Sequence, residues 1–247
     1  MAAQLAETTV TMRTKEAEST EWSVARLSAR PSLQTHLAGP GLRPIHMTQK
    51  RGALLYVPES ALGKTPAPLA VMLHGAGGNA EHGMALLRSY ADRAKLILLA
   101  PESRKGSWDI ISDARYGPDV RFIDGCLAEL FSQFAIDPAK IALGGFSDGA
   151  SYALSLGLSN GLLFRTIVAF SPGFMAPIGI EDKPDIFISH GTHDEVLPID
   201  VCGRRIGRAL RGHSELKVEY HEFEGPHTVP PDMKEAALRF FLGDAAV

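Results

Sequence analysis

The sequence predicts one α/β domain with a mostly parallel central sheet and helices on both faces, and three observations lead there. From Pro68 onward, short apolar runs of strand length alternate with segments of helical periodicity. PLAVML (68–73) is apolar throughout and KLILLA (95–100) is apolar after its leading lysine, as expected of strands covered on both faces. At 247 residues, 45% hydrophobic and 21% charged, the chain is long enough for a single large core and ordinary in composition.

Taken in order, residues 1–21 are small, polar and charged and are expected to form a flexible tail, leaving 22–247 as the domain. Edge strands and turns follow to Val57. ALLYV (53–57) is stopped by Pro58, and another strand adjoins a turn at Gly39-Pro40-Gly41. PLAVML runs into His74-Gly75-Ala76-Gly77-Gly78-Asn79, and a helix is expected over 80–94. After KLILLA comes a polar loop with Ser107-Trp108-Asp109. Then Val120, Ile123, Leu127, Leu130, Phe131 and Phe134 recur at intervals that predict a helix over 119–134. Asp137-Pro138 turns the chain into a strand at 140–144. A helix after Ser147 precedes strands near 164–170 and 185–190, a helix near 198–211, a strand near 216–223 and a helix near 231–242.

A net charge of −3 offers no general attraction to nucleic acid or anionic membrane. No stretch approaches the roughly 18 apolar residues of a membrane span, so no stable membrane insertion is expected. The first residues have no basic start followed by an apolar run, and the expected location is the cytoplasm. Cys126 and Cys202 both fall in predicted helices and are read as buried thiols in a reducing compartment.

Chemistry concentrates in IALGGFSDGASYALSLGLSN (141–160), which reads as strand, tight turn and helix with Ser147 at the apex. Glycine is needed at 145 and 149 because a Cβ there would meet neighbouring backbone. The serine between them is then held in a strained conformation that raises its hydroxyl. The bland rival is a plain N-cap serine. A serine nucleophile needs a base, and the base needs an acid to orient it. Strand 185–190 leads into Asp194 and strand 216–223 leads into His227. Both therefore stand at the sheet edge where ligands bind. Glu195 and Asp200 rival Asp194 as the acid; His221 rivals His227, although it lies within a strand. An oxyanion needs two backbone donors: the N–H of Asp148, and that of Ala76 or alternatively Gly77.

HGAGG matches no phosphate-binding spacing. His190-x-x-His193 beside Asp194 straddles a strand end and offers no third ligand, so neither metal nor cofactor is expected. His74 and His190 are read as bonding the backbone of their own loops, and the Asp148 carboxylate as solvated or locally bonded.

LHGAGGN (73–79), GGFSDGA (144–150), SHGTHDEVLP (189–198) and GPHTV (225–229) together resemble the phospholipase/carboxylesterase family of α/β-hydrolases, close to polyhydroxybutyrate depolymerase-like esterases. The resemblance spans about residues 50–242. It implies Ser147, Asp194 and His227 as a triad, Ala76 and Asp148 as oxyanion donors, and hydrolysis of small to medium acyl esters through an acyl-enzyme. The partner would be a small-molecule ester, with homo-oligomerisation left open. Acyl thioesterases and lysophospholipases are the alternative within the family, often with Gln where this chain has Asp148. A non-catalytic binding protein and a peptidase are the more distant readings. Only SPGFMAPIGIEDKP (171–184) separates two strands where many relatives insert a helical cap, so no large lid is expected. Trp108, Phe174 and Met175 fall in loops at the same edge and are expected to line an apolar acyl groove.

Overall fold

The computed structural model describes residues 24–32, 36–45 and 51–244; the expected tail at 1–21 lies outside them. The described strands are β1 (Gly41–Ile45), β2 (Ala53–Val57), β3 (Ala67–Leu73), β4 (Ile97–Pro101), β5 (Ile136–Phe146), β6 (Thr166–Phe170), β7 (Asp185–Gly191) and β8 (Val218–Phe223). They form one sheet in the order β1-β2-β4-β3-β5-β6-β7-β8. The β1–β2 and β2–β4 pairs are antiparallel, and every pair from β4 to β8 is parallel. The α-helices lying wholly within the described residues are α1 (Ala80–Ala85), α2 (Asp109–Ser112), α3 (Pro118–Gln133), α4 (Asp148–Leu158), α5 (Gly203–Arg211) and α6 (Pro231–Leu242).

Side-chain alternation along the strands divides the core into two layers. Leu69, Val71 and Leu73 of β3 pack on one face with residues of α3, α4 and α5, while Ala70 and Met72 pack on the other with α1 and α6. That two-sided burial is why the strands read as unbroken apolar runs. Helix α4 is the innermost, with every residue from Gly149 to Leu158 buried. Leu154, Leu156 and Leu158 each contribute about 2 kcal/mol by leaving water. Among the described residues, no helix is long and apolar enough to cross a membrane.

Three elements differ from the sequence expectation. The helix over 80–94 is broken: α1 ends at Ala85 and a 3-10 turn covers Arg88–Tyr90, because Leu87 leaves helical geometry at φ −125° and ψ 1°. Leu86, Leu87, Ala91 and Ala94 are all buried without a continuous helix. β5 begins earlier than expected. Its pairing with β3 runs Ala67↔Ile136 and resumes at Leu69↔Ile141, so the Asp137-Pro138 turn survives as a bulge inside the strand. Asp137 closes that bulge by accepting the Ala139 N–H at 2.9 Å. The helix expected at 198–211 starts only at Gly203, after a turn in which the Val201 and Cys202 N–H groups both donate to the Pro198 carbonyl. Cys202 is therefore an N-cap and not helical; Cys126 sits in α3, and both thiols are free and buried.

Residues 171–184 form no helix and instead run along α4. The N–H groups of Gly173, Ala176 and Ile178 donate to the hydroxyls of Ser151, Ser155 and Ser159 at 2.9, 2.9 and 3.1 Å. Each hydroxyl in turn donates to the carbonyl four residues earlier. Serines spaced by four thus fasten the segment beside Ser147 to the helix, a role that their small polar side chains did not announce.

Candidate active site

Ser147 joins β5 to α4 at φ 57° and ψ −120°, a conformation that costs a non-glycine residue on the order of 1–3 kcal/mol. The crossing is possible because its flanks lack side chains. A Cβ on Gly145 would lie 2.5 Å from the Gly149 backbone carbon, and one on Gly149 would lie 2.3 Å from the Leu73 carbonyl oxygen. Backbone on both sides cannot yield easily. Gly149→Ala should therefore cost about 3 kcal/mol, lowering the melting temperature by on the order of 10 °C. A calorimetric shift under 2 °C would show that α4 can move away from β3 without penalty.

β7 and β8 deliver the other two groups to this edge. His227, in the loop after β8, has Nε2 2.9 Å from Ser147 Oγ and Nδ1 2.6 Å from Asp194 Oδ2. Its ring also lies against Phe146, with centroids 4.6 Å apart. Asp194 follows β7, and its side chain is fully buried. Oδ1 accepts the N–H groups of Val196 and Leu197 at 3.0 and 2.8 Å. Oδ2 faces His227 and, at 3.2 Å, Nε2 of His190. Burial alone would raise the Asp194 pKa, but the Leu197 N–H and His227 outweigh it and hold the carboxyl below its ordinary range.

His190 is itself buried, which lowers its pKa and keeps the ring neutral; Nε2 then donates to the Leu197 carbonyl at 2.8 Å as well as toward Asp194. Its contact with its own loop matches the expectation, whereas its contact with the candidate acid went unread. His193, the other histidine of His190-x-x-His193, is exposed. The rivals lie elsewhere. Glu195 is exposed, Asp200 pairs with Arg204 at 2.8 Å, and His221 bonds Glu219 while stacking on Phe187.

For an oxyanion, the Gly77 N–H is unavailable because it donates to the Gly106 carbonyl at 2.7 Å, and that of Gly78 donates to Gly75. The Ala76 N–H makes no backbone hydrogen bond among the described residues. The Asp148 N–H stands at the first turn of α4, where N–H groups have no partner within the helix. His74 stiffens the first loop: Nδ1 lies 2.7 Å from the Gly75 carbonyl, and Nε2 accepts the Ser103 N–H at 3.1 Å. Burial lowers the His74 pKa, consistent with a neutral ring that accepts at Nε2. The Asp148 carboxylate is locally bonded, accepting from Ser107 Oγ at 2.5 Å.

The expected acyl groove needs correction. Trp108 is fully buried, donates Nε1–H to the His74 carbonyl at 2.9 Å and stacks on Tyr152 with centroids 5.1 Å apart. An indole so enclosed is a support and cannot line an open groove. Phe174 and Met175 are half-buried on the 171–184 segment, and Met175 packs against the core. Leu197, absent from the sequence reading, is near enough that a Cβ on Gly173 would lie 3.1 Å from it, and the neighbouring Val196 is exposed. The apolar V-L-P run after Asp194 was the available signal.

A strained serine elbow at the end of a parallel strand, with a histidine and a carboxylate presented by later strands, defines the α/β-hydrolase class. The family model for phospholipases and carboxylesterases matches residues 120–242. Probable feruloyl esterase C of Aspergillus niger is 27% identical over 164 residues, which is 63% of this chain and 59% of that protein. Acyl-protein thioesterase 1 of Saccharomyces cerevisiae is 32% identical over 114 residues, 42% of this chain and 50% of that one. The chain thus spans little more than half the length of the curated relatives it matches. The crystal structure of esterase PE8 superposes with a TM-score of 0.62 at 25% identity, covering 75% of this chain and 95% of its own. With the family match confined to residues 120–242, these likenesses together place the chain among the α/β-hydrolase esterases.

Proposed function

We propose that this protein is a serine carboxylesterase that cleaves small to medium acyl esters through Ser147, His227 and Asp194. One observation carries the reading. A serine hydroxyl in a strained turn lies 2.9 Å from one nitrogen of a histidine whose other nitrogen is 2.6 Å from a buried carboxylate. With the proton held on Nδ1 by Asp194, Nε2 accepts the Ser147 proton as Oγ attacks the ester carbonyl. The negative charge that develops on the carbonyl oxygen is received by the N–H groups of Ala76 and Asp148. Collapse of the tetrahedral intermediate breaks the bond to the alcohol, which leaves with the proton from His227. Water, deprotonated by the same nitrogen, then releases the acid from Ser147. The two free, buried cysteines suit a reducing compartment, and we place the enzyme's action in the cytoplasm.

Similarity to a thioesterase and to a feruloyl esterase favours testing two further acyl classes beside simple esters. Nitrophenyl esters from acetate to palmitate, methyl ferulate, an acyl-CoA and a peptide should be compared by kcat/KM. The segment at 171–184 has no helix to cover a chain and is fastened to α4, so long acyl groups should extend into water. Full burial of a methylene would contribute about 0.8 kcal/mol, roughly fourfold in kcat/KM if retained in the transition state. The expected optimum therefore lies between about two and eight acyl carbons, because the gain from each methylene ends where burial ends. A maximum at palmitate, or faster turnover of peptide than of any ester, would overturn this reading.

A further inference from the structure

We propose that Ser107, Trp108, Asp109 and Asp119 form a clasp that positions both oxyanion donors, so that one loop sets the geometry of the hole. The proposal rests on the serine-esterase reading and adds positioning residues that the reading does not require.

The clasp is reciprocal. Asp109 Oδ2 accepts the N–H groups of Gly117 and Asp119 at 2.8 and 2.9 Å, and its Oδ1 accepts the Tyr152 hydroxyl at 2.9 Å. Asp119 answers by accepting the N–H of Asp109 on Oδ2 at 2.7 Å and that of Arg104 on Oδ1 at 2.5 Å. Each carboxylate thus closes the backbone turn that carries the other. Both are almost wholly buried, and burial pushes both pKa values up, that of Asp119 to about 6. Buried carboxylates are costly unless nearly every lone pair is used, and these two between them accept four backbone N–H groups and one hydroxyl.

The closed loop reaches both halves of the hole. Toward the loop after β3, Ser103 N–H donates to His74 Nε2, Trp108 Nε1–H donates to the His74 carbonyl, and the Gly106 carbonyl receives the Gly77 N–H. These bonds bracket Ala76. Toward α4, Ser107 Oγ donates to the Asp148 carboxylate, while Trp108 stacks on Tyr152, whose hydroxyl returns to Asp109. An oxyanion hole works only when its donors stand about 2.7–3.1 Å from the developing charge, so a loop tied to both segments holds their separation.

Four variants test the proposal: Ser107→Ala, Ser107→Thr, Trp108→Phe and Asp119→Asn. Active sites are counted by stoichiometric phosphonylation of Ser147, so that misfolded protein is excluded. Kinetics are then measured with nitrophenyl acetate and inhibition with a trifluoromethyl ketone, whose serine adduct carries an oxyanion. Ser107→Ala, Trp108→Phe and Asp119→Asn should lower kcat by about tenfold to a hundredfold with KM changed less than about twofold. The inhibition constant should rise by the same factor as kcat/KM falls, and Ser107→Thr, which keeps the hydroxyl, should remain near wild type. If Asp119→Asn fails to fold, the Ser107 and Trp108 variants decide the matter. Wild-type kcat per titrated site in those variants, or a kcat loss with an unchanged inhibition constant, would overturn the clasp and leave the esterase reading standing. Failure of wild-type Ser147 to take the phosphonate would overturn both.

Discussion

Ser147→Ala should remove ester hydrolysis, with kcat lower by on the order of 10⁶, while the fold remains almost unchanged. The size follows from the interdependence of such groups: without the nucleophile, a histidine and a carboxylate have nothing to activate. The small structural effect follows from the contacts. Ser147 Oγ touches His227 at the sheet edge, whereas the elbow is held by its backbone, through the Ser147 N–H to the Phe170 carbonyl and the Ser151 N–H to the Ser147 carbonyl. Alanine also preserves the burden of positive φ, so the variant should melt within a few degrees of wild type. A fluorophosphonate should label Ser147 alone in the wild type and nothing in the variant. Turnover by Ser147→Ala at a wild-type rate, or labelling at another serine, would remove the basis for the proposed function.

Local rules made some of this molecule legible and long-range bonds hid the rest. β3, β4, β6 and β7 announced themselves because helices cover both faces, which favours apolar side chains at successive positions along each strand. The elbow was legible because Gly145 and Gly149 answer to a steric requirement that no other residue meets. Strand ends then fixed where Asp194 and His227 could emerge. Trp108 misled for a physical reason: an aromatic residue in a polar loop resembles a ligand contact, and nothing local reveals that its indole N–H meets a carbonyl 34 residues earlier. Asp109 and Asp119 were silent for the same cause. A carboxylate that accepts backbone N–H groups of another turn follows no periodicity, and its charge reads as solvated. The sequence over 80–94 suggests a longer helix than the backbone forms, because the apolar Leu86, Leu87, Ala91 and Ala94 imitate a helical stripe.

Asp194→Asn should lower kcat by on the order of 10⁴ with little change in KM, and the surroundings of the carboxylate say why. The Val196 and Leu197 N–H groups require an acceptor at the Oδ1 position, so the new amide must keep its oxygen there. Its NH₂ then faces His227 Nδ1 and His190 Nε2, where the wild type presents a carboxylate oxygen. A donor facing Nδ1 favours the tautomer with its proton on Nε2, and that nitrogen can no longer accept the Ser147 proton. Glu195→Gln and Asp200→Asn should stay near wild type, since one carboxylate is exposed and the other is engaged with Arg204. Stability supplies an independent check. The folded Asp194 pKa is depressed, so its ionised form favours the fold above the ordinary carboxylate range, and that contribution disappears as pH falls through the depressed value. The stability advantage of wild type over Asp194→Asn should therefore be full at neutral pH and shrink below about pH 4. Chemical denaturation at pH 7 and at pH 3.5 would read it. A nearly silent Asp194→Asn beside a crippling Glu195→Gln or Asp200→Asn would transfer the role of the acid to that neighbour.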